Sequence, residues 1–363
     1  MTPEEPPRNP FRNTGALRPW EDESADEQLY VAVDHTLEQF RRFVAYLSDP
    51  PRDIRSRGRL IVVTGGRGSG KTSLIHRCVN HVKNKVPGGK LKIVDVTRHQ
   101  RLRNRGPEGS GPDNFQDNYF DRLTHHVLTE MNGLSERYTD PGSNIGPAAS
   151  AYSRLASSLR REGDLAAILL PAFLDQVSSP SDTTDAEAEA GAEAGELIEH
   201  PVESYMQFRN KGIIFFAESR NPVAMAAWYK DLDADAQAET IVLTLGPLKP
   251  GDGWRFARER LKDVTDQRVP IVREETMTNL LANGRSMTLS HLGQLCSELW
   301  NAAIARGSLE ITDEDIARFY ERQADTLQRR PRPDDVVRSR PVERRDDETT
   351  DEADALEDET DDE

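Results

Sequence analysis

The sequence predicts an α/β fold: a three-layer core around a parallel sheet, an all-helical segment after it, and a disordered acidic tail. Three observations predict it. Leu60-Ile61-Val62-Val63-Thr64 and Leu91 to Val96 are short apolar runs on either side of one helical stretch. That is the strand–helix–strand order of a right-handed parallel unit. Ile213 to Ala217 and Thr240 to Leu245 are two further strands of the same kind. From Pro250 the strand pattern gives way to helical periodicity at about 251–264, 272–282, 286–306 and 313–328.

Taken in order, residues 1–36 form an N-terminal arm, rich in proline and carrying an acidic cluster from Glu21 to Glu27. A helix follows through Leu37, Phe40, Val44 and Leu47, capped by Asp34 or Thr36 and ended by Pro50-Pro51. The first strand runs into a glycine-rich turn and then a helix from about Lys71 to Asn84. Residues 98–114 read as a loop holding Arg98, Arg101, Arg103 and Arg105, with helices at 115–131 and 148–161. Leu165 to Leu174, broken by Pro171, fits a strand or a buried helix, and the strand is preferred. Residues 178–199 hold the low-complexity string AEAEAGAEAGE and read as an insertion. This divides the chain into a core of 37–250, a helical lid of 251–328 and a charged tail of 329–363. The last lid helix opens on Thr312 as N-cap, with Asp315 three residues on.

At 36% hydrophobic and 30% charged residues, the chain is polar enough that part of it is expected to stay unpacked. The formal charge of −16 is mostly a property of the end. Residues 346–363 carry 12 acidic and no basic side chains, so the remainder stands near −4 and implies no basic partner. The two cysteines, Cys78 and Cys296, have no metal-ligand spacing and read as reduced packing residues. The N-terminus lacks a signal-peptide stretch, and no run reaches membrane-spanning length, so a cytoplasmic location and no membrane contact are expected. The histidines form no metal motif. The arginines at 98–105 lack interleaved aromatics, which favours a solvated loop over a nucleic-acid platform.

Gly65-Gly66-Arg67-Gly68-Ser69-Gly70-Lys71-Thr72, followed by Ser73, fits the phosphate-binding pattern G-x-x-x-x-G-K-[ST] without a mismatch. Glycines let the backbone close on phosphate oxygens, and successive amides then form an anion nest at a helix N-terminus. Lys71 would reach the β- and γ-phosphates, and the Thr72 hydroxyl would ligate Mg²⁺. The pattern stands between a strand and a helix, as this chemistry requires, so a nucleoside triphosphate with Mg²⁺, in the first place ATP, is expected. The base-reading motif of GTPases and the signature of transporter ATPases are both missing.

With these residues the chain resembles the AAA+ and STAND ATPases, particularly their origin-recognition-like branch, over about residues 37–328. The resemblance rests on the P-loop, on Ile213 to Ser219 as a strand ending in a polar sensor, on Leu243 to Leu248 as the last core strand entering the lid, and on Leu309 to Ile316 at the final lid helix. It implies ATP held between P-loop, arm and lid. It also implies Asp175 as the metal-orienting acid of the Walker B segment, Ser219 as the first sensor with Asn221 as runner-up, and Arg285 as the second sensor.

The chain departs from the family at three places. Gln176 follows Asp175 where a catalytic glutamate is usual; it could position a water but take no proton, which leaves another acid such as Glu218 open. Arg285 directly follows Gly284 without the usual gap, and no residue stands out as an arginine finger among Arg209, Arg220 and Arg258. Only the charged tail follows the lid, where origin-recognition proteins commonly add a winged helix. The expected function is therefore a slow ATPase acting as a conformational or assembly switch, with a protein partner or self-assembly. An ATP-binding scaffold and a DNA-associated factor are the alternatives.

Overall fold

A computed structural model of the chain describes residues 9–11, 18–21, 33–98, 112–134, 148–170, 205–262, 271–282 and 287–328. The expected insertion at 178–199, the tail at 329–363 and most of the arginine-rich loop lie outside these residues. The chain divides into two compact units, Met1–Asp315 and Ile316–Glu363. The first holds every strand found among the described residues.

Five strands form one parallel sheet: β1 (Arg59–Thr64), β2 (Leu91–Asp95), β3 (Leu165–Leu169), β4 (Ile213–Ser219) and β5 (Thr240–Thr244), in the order β2-β3-β4-β1-β5. β1 is central, and its five residues from Leu60 to Thr64 are buried, as a strand covered on both faces must be. Its neighbours come from distant sequence. Thr64 pairs with Ser219 on one side and with Thr244 on the other. The chain thus reverses its order of strand addition beside β1, the position at which open α/β sheets hold their ligands.

Each face of the sheet carries a helical layer. On one face Ile61 and Val63 of β1 pack with Ile214 and Phe216 of β4 under α1 (Asp34–Tyr46), α2 (Pro50–Ser56) and α3 (Lys71–Lys85). Helix α3 supplies Leu74, Ile75, Cys78, Val79 and Val82, the i, i+1, i+4 stripe of a helix buried along one side. On the other face Leu60 and Val62 meet Phe215 and Ala217 under α4 (Pro112–Leu134), α5 (Ala148–Glu162) and α6 (Pro222–Asp231). These are the three layers that the sequence predicts.

Several elements differ in detail from the sequence reading. Pro50-Pro51 end no structure but open α2, because proline at the first helical positions gives up only amides that are unbonded anyway. Between β4 and β5 stand α6 and α7 (Ala234–Glu239), capped by the side chains of Asn221 and Asp233. Part of the expected loop at 98–114 is structured: Val96–Arg98 is a single 3₁₀ turn and α4 begins at Pro112. The strand expected over Leu165–Leu174 is seen over Leu165–Leu169. Beyond β5 come α8 (Pro250–Leu261), α9 (Glu274–Ala282), α10 (Leu289–Ala305) and α11 (Asp313–Gln328). This helical segment also contains a minimal parallel pairing of β6 (Ile271–Val272) with β7 (Glu310–Ile311). Of the capping arrangement expected at α11, the Asp315 half is present, accepting from the Thr312 N–H at 3.0 Å, while the Thr312 hydroxyl donates to the same carboxylate at 3.2 Å instead of capping an amide; an ion pair from Arg306 at 2.5 Å holds the Asp315 carboxyl below the usual carboxylate range.

The described parts of the N-terminal arm are tied down. Phe11 is 2% exposed between Phe256 of α8 and Trp300 of α10, at ring distances of 6.2 and 5.8 Å. The Asn9 amide donates to the Ser297 carbonyl at 3.1 Å and to Asn301 at 2.9 Å. Further along, Trp20 stands edge-on to His76 of α3 at 4.8 Å, and Arg18 pairs with Asp95 at the end of β2 at 2.7 Å.

Candidate functional site

The loop Gly65–Gly70 joins the buried end of β1 to the start of α3. Gly65, Gly68 and Gly70 all have positive φ, and the first two are also closely approached. A Cβ on Gly65 would stand 2.7 Å from the Leu245 carbonyl oxygen. Gly68 has φ +74°, and a Cβ there would meet Thr288 Oγ1 at 3.0 Å and Ser290 at 3.1 Å. The loop is pinned at both ends: Gly65 N–H donates to the Ser219 carbonyl at 3.1 Å, and Leu74 N–H to the Gly70 carbonyl at 2.9 Å.

Three polar groups are drawn inward. Lys71 is 7% exposed, and its ammonium donates to the Gly65 and Gly66 carbonyls at 2.8 and 2.9 Å. The hydroxyls of Ser69 and Thr64 are buried without a hydrogen-bond partner. Leaving such groups unmade costs about 1–3 kcal/mol each, which is tolerated chiefly where a ligand completes them. An ammonium in the loop and a helix N-terminus beside tightly turned glycines are an arrangement that can receive the oxygens of an anion such as a phosphate.

Two groups from outside the loop complete the surroundings. Glu218, the penultimate residue of β4, accepts a hydrogen bond from the Thr72 hydroxyl at 2.5 Å. The N-terminus of α10 lies on the loop itself, where Ser290 N–H donates to the Gly68 carbonyl at 3.1 Å. Thr288 caps that helix by accepting from the His291 N–H at 3.2 Å. Two helix N-termini, those of α3 and α10, therefore converge on one short loop, and both favour negative charge.

The residues expected from sequence fall into three groups. Gly65, Gly66, Arg67, Gly68, Ser69, Gly70, Lys71, Thr72 and Ser73 form one loop and helix start. Ser219 ends the neighbouring strand, but its hydroxyl accepts from the Asn221 N–H at 3.1 Å, and the Asn221 side chain caps α6. Asp175, Gln176 and Arg285 lie outside the described residues. Among the described residues no cluster of three or more His, Cys, Asp or Glu side chains could hold a metal. Magnesium needs less, because phosphates and water fill most of its shell, and Thr72 with Glu218 fits that smaller demand. The contacts of Thr288 and Ser290 escaped the sequence reading. They arise from the packing of a helix more than 200 residues away, and nothing local marks them.

No protein-family model matches the sequence, and no curated protein matches it at a significant level. Solved structures do match. The ORC2 protein of Aeropyrum pernix, in ADPNP–ADP complexes, aligns with TM-score 0.51 and 13% identity over 86% of this chain and 70% of that one. The ORC1 protein of the same organism in complex with DNA gives 0.49 and 13% over 88% and 72%. Cdc6p from Pyrobaculum aerophilum gives 0.47 and 12% over 84% and 68%. At these identities the likeness concerns the fold, and the first of the three carries it. The five-stranded sheet ordered around β1, with helices beyond β5, is a fold shared with the Aeropyrum pernix ORC2 structure.

Proposed function

We propose that the protein binds ATP with Mg²⁺ at the Gly65–Thr72 loop and serves as a nucleotide-dependent conformational or assembly switch with slow hydrolysis. The observation that carries this reading is the docking of the α10 N-terminus on Gly68, because it places a C-terminal helix against the phosphate cradle. The ORC2 structure described with ADPNP and ADP supports the choice of nucleotide.

In this reading the amides of the loop hold the phosphates, and Lys71 turns from the Gly65 and Gly66 carbonyls to the terminal phosphate. The Thr72 hydroxyl is a metal ligand. With Thr72 and Glu218 beside it, Mg²⁺ would offset the charge of the phosphates. A core of 37–250 and a lid of 251–328 are the parts that move, and the lid responds because α10 touches the same loop as the phosphate. Any difference in affinity between the two lid positions shifts their populations. Asp175, Gln176, Ser219 and Arg285 keep, within this proposal, the roles that the resemblance gives them. A cytoplasmic setting accords with Cys78 and Cys296, both buried and unpaired, the latter pushed up to about 12 by burial. No helix among the described residues is long and apolar enough to cross a membrane.

Titration of a fluorescent ATP analogue in Mg²⁺ tests the binding step. Loss of the Lys71 ammonium removes charge-assisted hydrogen bonds of about 1.5–3 kcal/mol, so Lys71→Ala should bind roughly 10–100-fold more weakly. Equal affinity of the two proteins would overturn the reading.

A further inference from the structure

In the fold described above, a metal-orienting acid is expected at the end of β3. The described part of β3 offers none. Leu165, Ala166, Ala167, Ile168 and Leu169 are all buried, and so is Leu170, whose N–H donates to the Phe216 carbonyl at 2.8 Å. The level of the sheet at which the P-loop begins lies beyond them, since Leu169 pairs with Phe216 whereas Thr64 pairs with Ser219.

The strand between β3 and β1 does offer an acid at that level. Along β4, Ile214 and Phe216 point to the face covered by α3, and Ile213, Phe215 and Ala217 point to the other. The alternation of a strand puts Glu218 on the α3 face, as the polar end of an apolar stripe. Its register partner on β1 is Val63, two residues before Gly65. From there its carboxylate receives the hydroxyl proton of Thr72 in a 2.5 Å hydrogen bond. A hydroxyl that donates to a carboxylate turns its lone pairs away from it, which is the orientation a metal ligand needs. The carboxylate also adds a negative charge beside the position of the cation.

We propose that Glu218, supplied by β4, is an acid of the magnesium site, orienting Thr72 and the water shell of the metal. This rests on the ATP-binding reading of the same loop. The role is one of positioning, exercised through Thr72 and metal-bound water.

Glu218→Gln is the informative variant. The glutamine carbonyl can still accept from Thr72, so a purely structural contact survives, while the charge is lost. Manganese in place of magnesium, with free Mn²⁺ followed by electron paramagnetic resonance in the presence of a non-hydrolysable ATP analogue, reads the metal site without turnover. The variant should keep the wild-type unfolding midpoint and wild-type affinity for the analogue in EDTA. Its Mn²⁺ affinity should fall roughly 10–100-fold, the usual effect of removing a group that orients a metal ligand. Wild-type Mn²⁺ affinity in the variant would overturn the proposal. A wild-type protein that binds no analogue with or without metal would overturn the ATP reading and this inference together. A wild-type protein that binds the analogue but shows no Mn²⁺ response would overturn the inference alone.

Discussion

Gly68 shows how much a single position can carry. Its backbone stands at φ +74°, its carbonyl accepts from Ser290 of α10, and a methyl group there would push Thr288 and Ser290 aside. A left-handed conformation costs an alanine about 1–2 kcal/mol, before any clash is counted. Gly68→Ala should therefore lower the urea midpoint by at least that equivalent and weaken nucleotide binding as well. Gly66, where a Cβ meets nothing within 4 Å, provides the contrast: Gly66→Ala should leave stability nearly unchanged. The sequence pattern could not separate these two glycines. It marks the loop by spacing, whereas the difference comes from a helix that packs on one of them. For the same reason Glu218 stood in the sequence only as one open alternative. Its pairing with Thr72, 146 positions away in sequence, depends on the register of β4 against β1.

At the scale of elements, strands and helices with strong periodicity were legible, and short capped helices were not. α3, α5 and α10 carry apolar stripes long enough to read. α6 and α7 span ten and six residues, too short for periodicity, and their signal was the caps at Asn221 and Asp233. The arm was read as extended from its prolines, but its two anchors were hidden because they join single residues to distant helices. Phe11 is the apolar anchor. Phe11→Ala should destabilise the first unit by about 3 kcal/mol, as removal of a buried aromatic does, with the loss read from urea unfolding. Arg18–Asp95 is the charged anchor. Burial raises the Asp95 carboxyl, but hydrogen bonds from Thr97 and Arg18 more than offset this and hold it below its usual range. The pair thus stabilises the folded state above the unfolded pKa of about 3.9, and its contribution is lost as the pH falls through the lower folded value. Proteolysis of the arm between pH 7 and 3 should accelerate only toward the acid end in wild type, and Asp95→Asn should abolish that dependence.

For the whole molecule, a switch must change something beyond its own pocket. Sedimentation velocity with ATP and Mg²⁺, compared with ADP, should reveal a shift in sedimentation coefficient from lid movement or self-association. Identical profiles in all nucleotide states would leave a binding scaffold as the better description. The arm bears on how such a change could be followed. Two of the four tryptophans stand at its anchors: Trp20 edge-on to His76 of the P-loop helix, and Trp300 against Phe11. The protein thereby contains its own optical gauge. With Trp228 and Trp254 replaced by phenylalanine, one remaining indole reports on the helix that starts the phosphate cradle. The other reports on the helix whose tip rests on Gly68, so removing either remaining tryptophan in turn would let a label-free chain report movement at each anchor separately.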